Sequence, residues 1–463
     1  MATAALTFSC GTAGAGAIEC SAEAFHRRIA ECNAGCGKSR CADKTIRFDC
    51  SDTVIPIAAD GTCREDPAKI CSSDDECSDR CIAARHRRAD RVITCDGLTI
   101  DGEDKGVVFR LEPSCEADAK ARGEKCGFIE GREWFVVFAA SRGTLRGLTL
   151  RGFFEGVYTG RDARRPGHFN TIENMVFERG CDDVYTNQQG SEGNVLRDST
   201  IREACHRGVS LKGDAPAGES PGDADFFDSS IIGVTFESAG FNPVNVDRVG
   251  RHLLEDVTIH NDRDTGPYRC SGEAIHLFDG STLYLDNVTI EKGRGRRGCK
   301  FGVVTRGEPG VNQLIIRNSR IEDTRVVGVA AALDARLFMS GTTLRNNGGT
   351  AAGRDWARRY GGVNVAESAE ADLGGGRLTI DGRVMRSAGG NVFENNVMAR
   401  RCSTTRQRSC VEDAHCPATE RCEKGGFPGD VVNDGSNTVT AQGNRWVSGA
   451  QRGAVGRVDT GGR

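Results

Sequence analysis

Long apolar runs are absent from this chain of 463 residues: none approaches the ~20 residues that a membrane-spanning helix needs, so no span is expected. No basic-then-apolar leader is present either. Charge of one sign is also missing. The formal net charge is -4, and the basic clusters GRGRRG (293–298) and DARRP (162–166) are short, which argues against nucleic acid as a partner. Aromatics are few, 28 in all with 20 of them Phe, a set that suits an internal stack better than an exposed sugar platform. Hydrophobic residues make up only 38%, fitting a narrow core with much surface rather than a thick globular one.

What the chain has in quantity is a returning phrase between residues 144 and 447: a short apolar strand, a Gly, Asn or Asp, then another short strand. It reads TLRGLTLRG, NTIENMVFERG, NVLRDSTIREA, SSIIGVTFESAG, RHLLEDVTIHND, STLYLDNVTIEKG, NQLIIRNSRIEDT and ARLFMSGTTLRNNGG. The anchors are Leu150, Phe177, Ile201, Phe236, Ile259, Ile290, Ile321 and Leu344, spaced by 27, 24, 35, 23, 31, 31 and 23 residues. Such variable intervals predict one coil per copy with loops of different length between strands. A single copy cannot bury an apolar face, whereas stacked coils pair each strand with its equivalents and build one continuous column. The expected fold is all-β: a single-stranded right-handed parallel β-helix of about ten coils, its hand following from strand-crossover chirality. Asn174, Asp198, Asp256, Asn287 and Asn318 sit just before the anchors, where corners favour left-handed residues, so their first reading is structural.

Twenty-one Cys with no zinc-finger spacing partnered by His predict disulfides and an oxidising destination, secreted or at the cell surface, with any leader already removed. Cys63, Cys71, Cys77 and Cys81 are separated by seven, five and three residues; Cys402, Cys410, Cys416 and Cys422 by seven, five and five. Each group is long enough for a two-disulfide knot in a loop, and neither has the Gly turn and terminal Glu of an EF-hand. The thirteen remaining Cys are an odd number, so at least one is left over. Cys181 with Cys205, Cys270 with Cys299, and Cys50 with Cys95 are candidates to bridge coils. In SAEAFHRRIAEC, Phe25, Ile29 and Cys32 share one helical face after a Ser21 cap, predicting a helix that closes the column's open end. The expected layout is a cap over 1–42, a β-helix over 43–450 with Cys-rich inserts at about 60–90 and 401–428, and a loose tail over 451–463.

TIDGEDKGVVFRL, GNVLRDSTIREA and GVTFESAG resemble the pectate-lyase-like superfamily of right-handed β-helices, over most of residues 43 to 450. That superfamily includes polysaccharide lyases, polygalacturonases and noncatalytic surface proteins, so the resemblance implies a scaffold, and function must be argued from a site. The candidate site is the stretch 180–214, GCDDVYTNQQGSEGNVLRDSTIREACHRGVSLKGD, with Arg248 and Arg251 of NPVNVDRVGRH one coil further on. Stacked acidic and basic residues beside a long loop are what a groove for an acidic polysaccharide needs.

Two chemistries fit. In a lyase, Asp182, Asp183 and Asp214 would supply hard oxygen ligands for calcium, which with cations neutralises a uronate carboxylate. Arg207, Lys212 or Arg248 would then remove the acidified hydrogen. RGVSLKG looks like the basic rung of pectate lyases, while Arg248 to Arg251 is only loosely similar to their Arg-x-Pro-x-x-Arg motif and lacks its Pro. In an inverting hydrolase, paired carboxyl groups would act as acid and base. GCDDVYT resembles the Gly-Asp-Asp rung of polygalacturonases, ACHRGVSL their Gly-His-Gly rung through His206, and Asp162 stands where an Asn-Thr-Asp motif would; their Arg-Ile-Lys motif has no equivalent. Arg251 and Asp162 are the expected substrate contacts. The lyase is the leading expectation, on an acidic polysaccharide and as a monomer, with the hydrolase and a noncatalytic adhesive β-helix as alternatives. Asp182, Asp183, His206, Arg207, Lys212 and Arg248 are expected to converge on one exterior groove.

Overall fold

The computed structural model describes residues 17–36, 44–58, 61–63, 70–71, 81–83, 91–112, 114–121, 134–160, 165–213, 226–261, 268, 270–293, 298–306, 310–348, 361–402, 419, 421–447 and 454–461. Three long parallel sheets of 13, 12 and 12 strands form a right-handed β-helix, each coil giving one short strand to each sheet in turn. The eight anchors pair in unbroken register on the second sheet, from Leu150 to Phe177, Ile201, Phe236, Ile259, Ile290, Ile321 and Leu344. The row extends to Phe109 and Ile55 at one end and to Phe393 and Trp446 at the other, giving twelve coils among the described residues, against the expected ten or so.

The regularity comes from one corner. In eight consecutive coils the first sheet passes to the second through two residues, and the first of the pair is left-handed: Gly147, Asn174, Asp198, Gly233, Asp256, Asn287, Asn318 and Gly341 all have φ between 49° and 68°. Glycine takes that conformation without penalty, and Asn and Asp take it more readily than other side chains. Where the chain passes from the third sheet into the first, a polar ladder satisfies the backbone: Asn170 accepts from Gly143 N at 2.8 Å, and Asn194 accepts from Asn170 N at 2.8 Å.

The helix Ala22–Ala34 starts at Ser21, whose hydroxyl accepts from Ala24 N, and buries Phe25, Ile29 and Cys32. Phe25 lies within 6.1 Å of the rings of Phe48, Phe109 and Phe135, so the helix plugs the column with an aromatic cluster. The disulfides correct part of the expectation. Cys50 and Cys95 do not pair with each other; Cys20–Cys50 and Cys36–Cys95 instead tie both flanks of the cap helix to the first coils. Cys181 bonds not Cys205 but Cys115, which opens the short helix Cys115–Ala121, and Cys205 belongs to a different disulfide. Cys270–Cys299 bridges successive coils as expected.

In the first insert, Gly61–Cys63, Ile70–Cys71 and Cys81–Ala83 form a small antiparallel sheet. In the second, Val397–Cys402 pairs antiparallel with Cys422–Pro428. Both sets lie outside the three column sheets; the cysteine bonding within them falls outside the described residues. The tail is not loose over its described part. Ala454–Gly456 and Val458–Asp459 add the last strands to the third and first sheets, because Val455 and Val458 continue the apolar rows.

Candidate functional site

Val157, Tyr185, Val209 and Val244 stack in register on the third sheet and belong to the column core. Tyr158, the next residue, packs instead with Val92, Val137 and Trp134 in a separate cluster, which marks the outer face. Two residues before the core row the stack reads Glu155, Asp183, Arg207. Adjacent backbones run so close there that a Cβ on Gly156 would lie 2.1 Å from Val184 O. The chain therefore needs glycine beside Glu155.

The sequence-predicted residues meet in two pairs across adjacent coils. His206 Nδ1 lies 2.9 Å from Asp182 Oδ1, and the imidazole stacks on exposed Phe241 with centroids 5.7 Å apart. The Arg207 guanidinium lies 3.8 Å from Asp183 Oδ2. Asp183 is 5% exposed, and its Oδ1 has no hydrogen-bond partner among the described residues. Burial first, then the neighbouring Asp182 charge, push its carboxyl up to about 8, with Glu155 adding to the rise and Arg207 and Lys212 pulling against it. Burial thus favours the protonated form of the Asp183 carboxyl, the form able to donate a proton. Burial, then Glu155 and Asp183, likewise hold the Tyr158 phenol well above its ordinary value.

Glu155 and Tyr158 are functional candidates that sequence reasoning missed, because EGVYT reads as an ordinary strand; the only signal was its register one coil before CDDVYTN. Lys212 stands five residues beyond Arg207 on the same strand, yet its charge reaches Asp183. Arg248 does not converge with them. It occupies a left-handed corner, φ 71°, donates to Gln189 beyond the far end of the strand, and acts electrostatically on Asp279. Arg251 is likewise not a contact of this groove: it lies on the first sheet, 7% exposed, with Nε 2.6 Å from Asp381 Oδ2. Asp162 and Asp214 fall outside the described residues.

Calcium takes roughly six to eight oxygen ligands. Of the three carboxylates assigned to it, Asp182 lies against His206, Asp183 follows it in the chain and Asp214 falls outside the described residues; no group of three acidic or His ligands gathers here among the described residues.

No curated protein matches the chain. Among solved structures, the A-module of the mannuronan C-5 epimerase AlgE6 of Azotobacter vinelandii is 12% identical over 95% of each chain, with a TM-score of 0.37. An alginate lyase, AlyF-OU02, in complex with G6 is 13% identical over 78% of this chain and 75% of its own, with a TM-score of 0.37. PfbA, a surface adhesin of Streptococcus pneumoniae, is 7% identical over 80% and 95%, with a TM-score of 0.33. Residues 184–454, more than half of the chain, match the family described as the right handed beta helix region. With that match and the coil register seen above, the chain belongs to the right-handed β-helix family.

Proposed function

We propose that this is an extracellular protein that cleaves an acidic, uronate-containing polysaccharide by β-elimination on the outer face of the third sheet. The observation that carries the reading is a buried Asp183, its carboxyl pushed up, beside Arg207 and next to the Asp182–His206 pair. Arg207 and Lys212 would hold the uronate carboxylate; a guanidinium that stays charged below pH ~12 suits that role better than the role of base. With Nδ1–H donating to Asp182, His206 keeps its Nε2 lone pair for the hydrogen at C5. As the C5 proton goes to Nε2, the C4–C5 double bond forms and the C4–O bond breaks. The Asp183 carboxyl then protonates the leaving oxygen. Proton taken and proton given balance. The disulfides support an oxidising destination.

The test is incubation with polyuronates while following the ultraviolet absorbance of unsaturated products. Elimination predicts that signal in the native chain and its loss in Asp183→Asn. New reducing ends without it would indicate inverting hydrolysis, and neither signal would leave a noncatalytic adhesive role.

A further inference from the structure

The coil that follows Leu344 breaks the two-residue corner rule. Between Glu370–Asp372 on the first sheet and Val392–Glu394 on the second, the chain spends residues 373–391 and makes a hairpin of Leu378–Ile380 and Arg383–Met385. A loop much longer than its neighbours in an otherwise regular repeat points to function. The hairpin folds back over the outer face of the first sheet. Leu378 and Ile380 bury against Ile315 and Phe338, and Asp381 fastens its tip through Arg251 Nε at 2.6 Å and the Tyr284 hydroxyl at 2.8 Å.

Between hairpin and sheet lies a cavity of about 520 Å³, within the range of roughly 300–1,000 Å³ typical of small-ligand sites. Its floor is the in-register row Leu253, Tyr284, Ile315 and Phe338. Its rim carries Arg317 from the sheet and Arg383 and Arg386 from the hairpin, none in an ion pair among the described residues. Elsewhere on the column, arginines at such positions pair with acids of the neighbouring coil. Glu255 and Asp286 complete the wall.

We propose that this groove is a second binding site, for a carboxylate-bearing oligosaccharide. Three guanidinium groups suit carboxylates, to which arginine bonds bidentately. Two carboxylates on the same wall oppose a purely anionic ligand such as phosphate but accept hydroxyl donors of a sugar, and the apolar row suits the ring's C–H face. The site shares no residue with the cleavage site and stands whether or not cleavage occurs.

The experiment is calorimetric titration of the full chain with an oligogalacturonate, with a neutral oligosaccharide of equal length as control. Native chain and Arg383→Ala/Arg386→Ala are compared in the Asp183→Asn background, so that no turnover intrudes. Expected are binding in the native groove and a loss of roughly tenfold or more in the double variant, since charge-assisted hydrogen bonds are among the stronger ones. The melting temperature should not move, because both arginines are exposed. Unchanged affinity in the double variant, equal binding of the neutral oligomer, or an equal loss on removing the remote exposed Arg27 would overturn the proposal. Cleavage of short uronate oligomers by Arg383→Ala/Arg386→Ala alone should match that of the native chain, which separates this site from the first.

Discussion

The outer faces of the second and third sheets handle stacked charge in opposite ways. On the second, Arg151, Glu178, Arg202 and Glu237 alternate from coil to coil, with Glu178 2.6 Å from Arg151 and 3.3 Å from Arg202. The first sheet repeats the device with Asp101, Arg146, Glu173 and Arg197. Burial raises the Asp101 carboxyl, but the hydrogen bond from Arg146, the Glu103 N–H and the nearby arginines more than offset it and bring it below its ordinary value. On the third sheet Asp183 stacks on another acid, Glu155, lies beside Asp182, and is pushed up. Alternation is what a stack of coils needs to stay intact; like charges buried together are what a fold would discard unless the site used them. The contrast separates structural charge from functional charge, and it can be broken experimentally.

The largest expected effect is on cleavage. Asp183→Asn keeps shape and burial but removes the transferable proton, and should cut polyuronate cleavage by between ~10² and ~10⁴-fold while folding normally. A variant that unfolds instead would make Asp183 a structural corner like Asp198. His206→Gln should cost about a hundredfold, near the low end for loss of a general base. A His206→Gln variant that cleaves polyuronates at the native rate would remove His206 from the chemistry.

Much of this contrast was legible in the sequence. The anchors set the register because a slip of one residue would turn Ile259 or Ile290 out of the column, and the left-handed corners were readable from Asn174 and Asp198. One-coil spacing was enough to bring Asp182 to His206 and Asp183 to Arg207. The rest was hidden because register says which residues stack but not where a loop returns. Arg251 looked like a neighbour of Arg248, yet three residues of turning chain carried it onto another sheet. Glu155 carried no motif, and the hairpin over Tyr284 sits within a Gly-rich stretch that reads as loop. Pairing of Cys20 and Cys36 depended on where the cap helix docks, which strand periodicity does not encode.

A smaller effect should appear in stability against pH. Folding lifts Asp183 from its usual 3.8 to about 8, so between those values the folded chain keeps a proton that the unfolded chain has released. Stability should therefore fall as pH rises through that window, by at most about 1.4 kcal/mol per unit, and level off above it. Asp101, whose carboxyl is lowered, works in the opposite sense and loses its contribution only in acid. Denaturant titrations of native chain and Asp183→Asn across pH 4 to 8 check the sign: the variant should lose the downward slope and be the more stable of the two at the alkaline end. Parallel curves would mean that Asp183 titrates normally.

The smallest effect belongs to the ladder, and its smallness is the point. Glu178→Gln removes the acid shared by Arg151 and Arg202, whose side chains are 40% and 44% exposed. Exposed ion pairs contribute about 0–1 kcal/mol because solvent already screens them and holding two long side chains costs entropy. Two pairs sharing one carboxylate reduce that entropic cost, so a loss of about 1 kcal/mol is expected at low salt, shrinking as added salt shortens the Debye length toward ~3 Å at 1 M. Cleavage should be untouched, since Glu178 faces outward from a different sheet than Asp183. A salt-independent loss of several kcal/mol would mean that the ladder bears on packing after all. A loss of cleavage would mean that the two faces are coupled through the column, and the division between structural and functional charge would then fail.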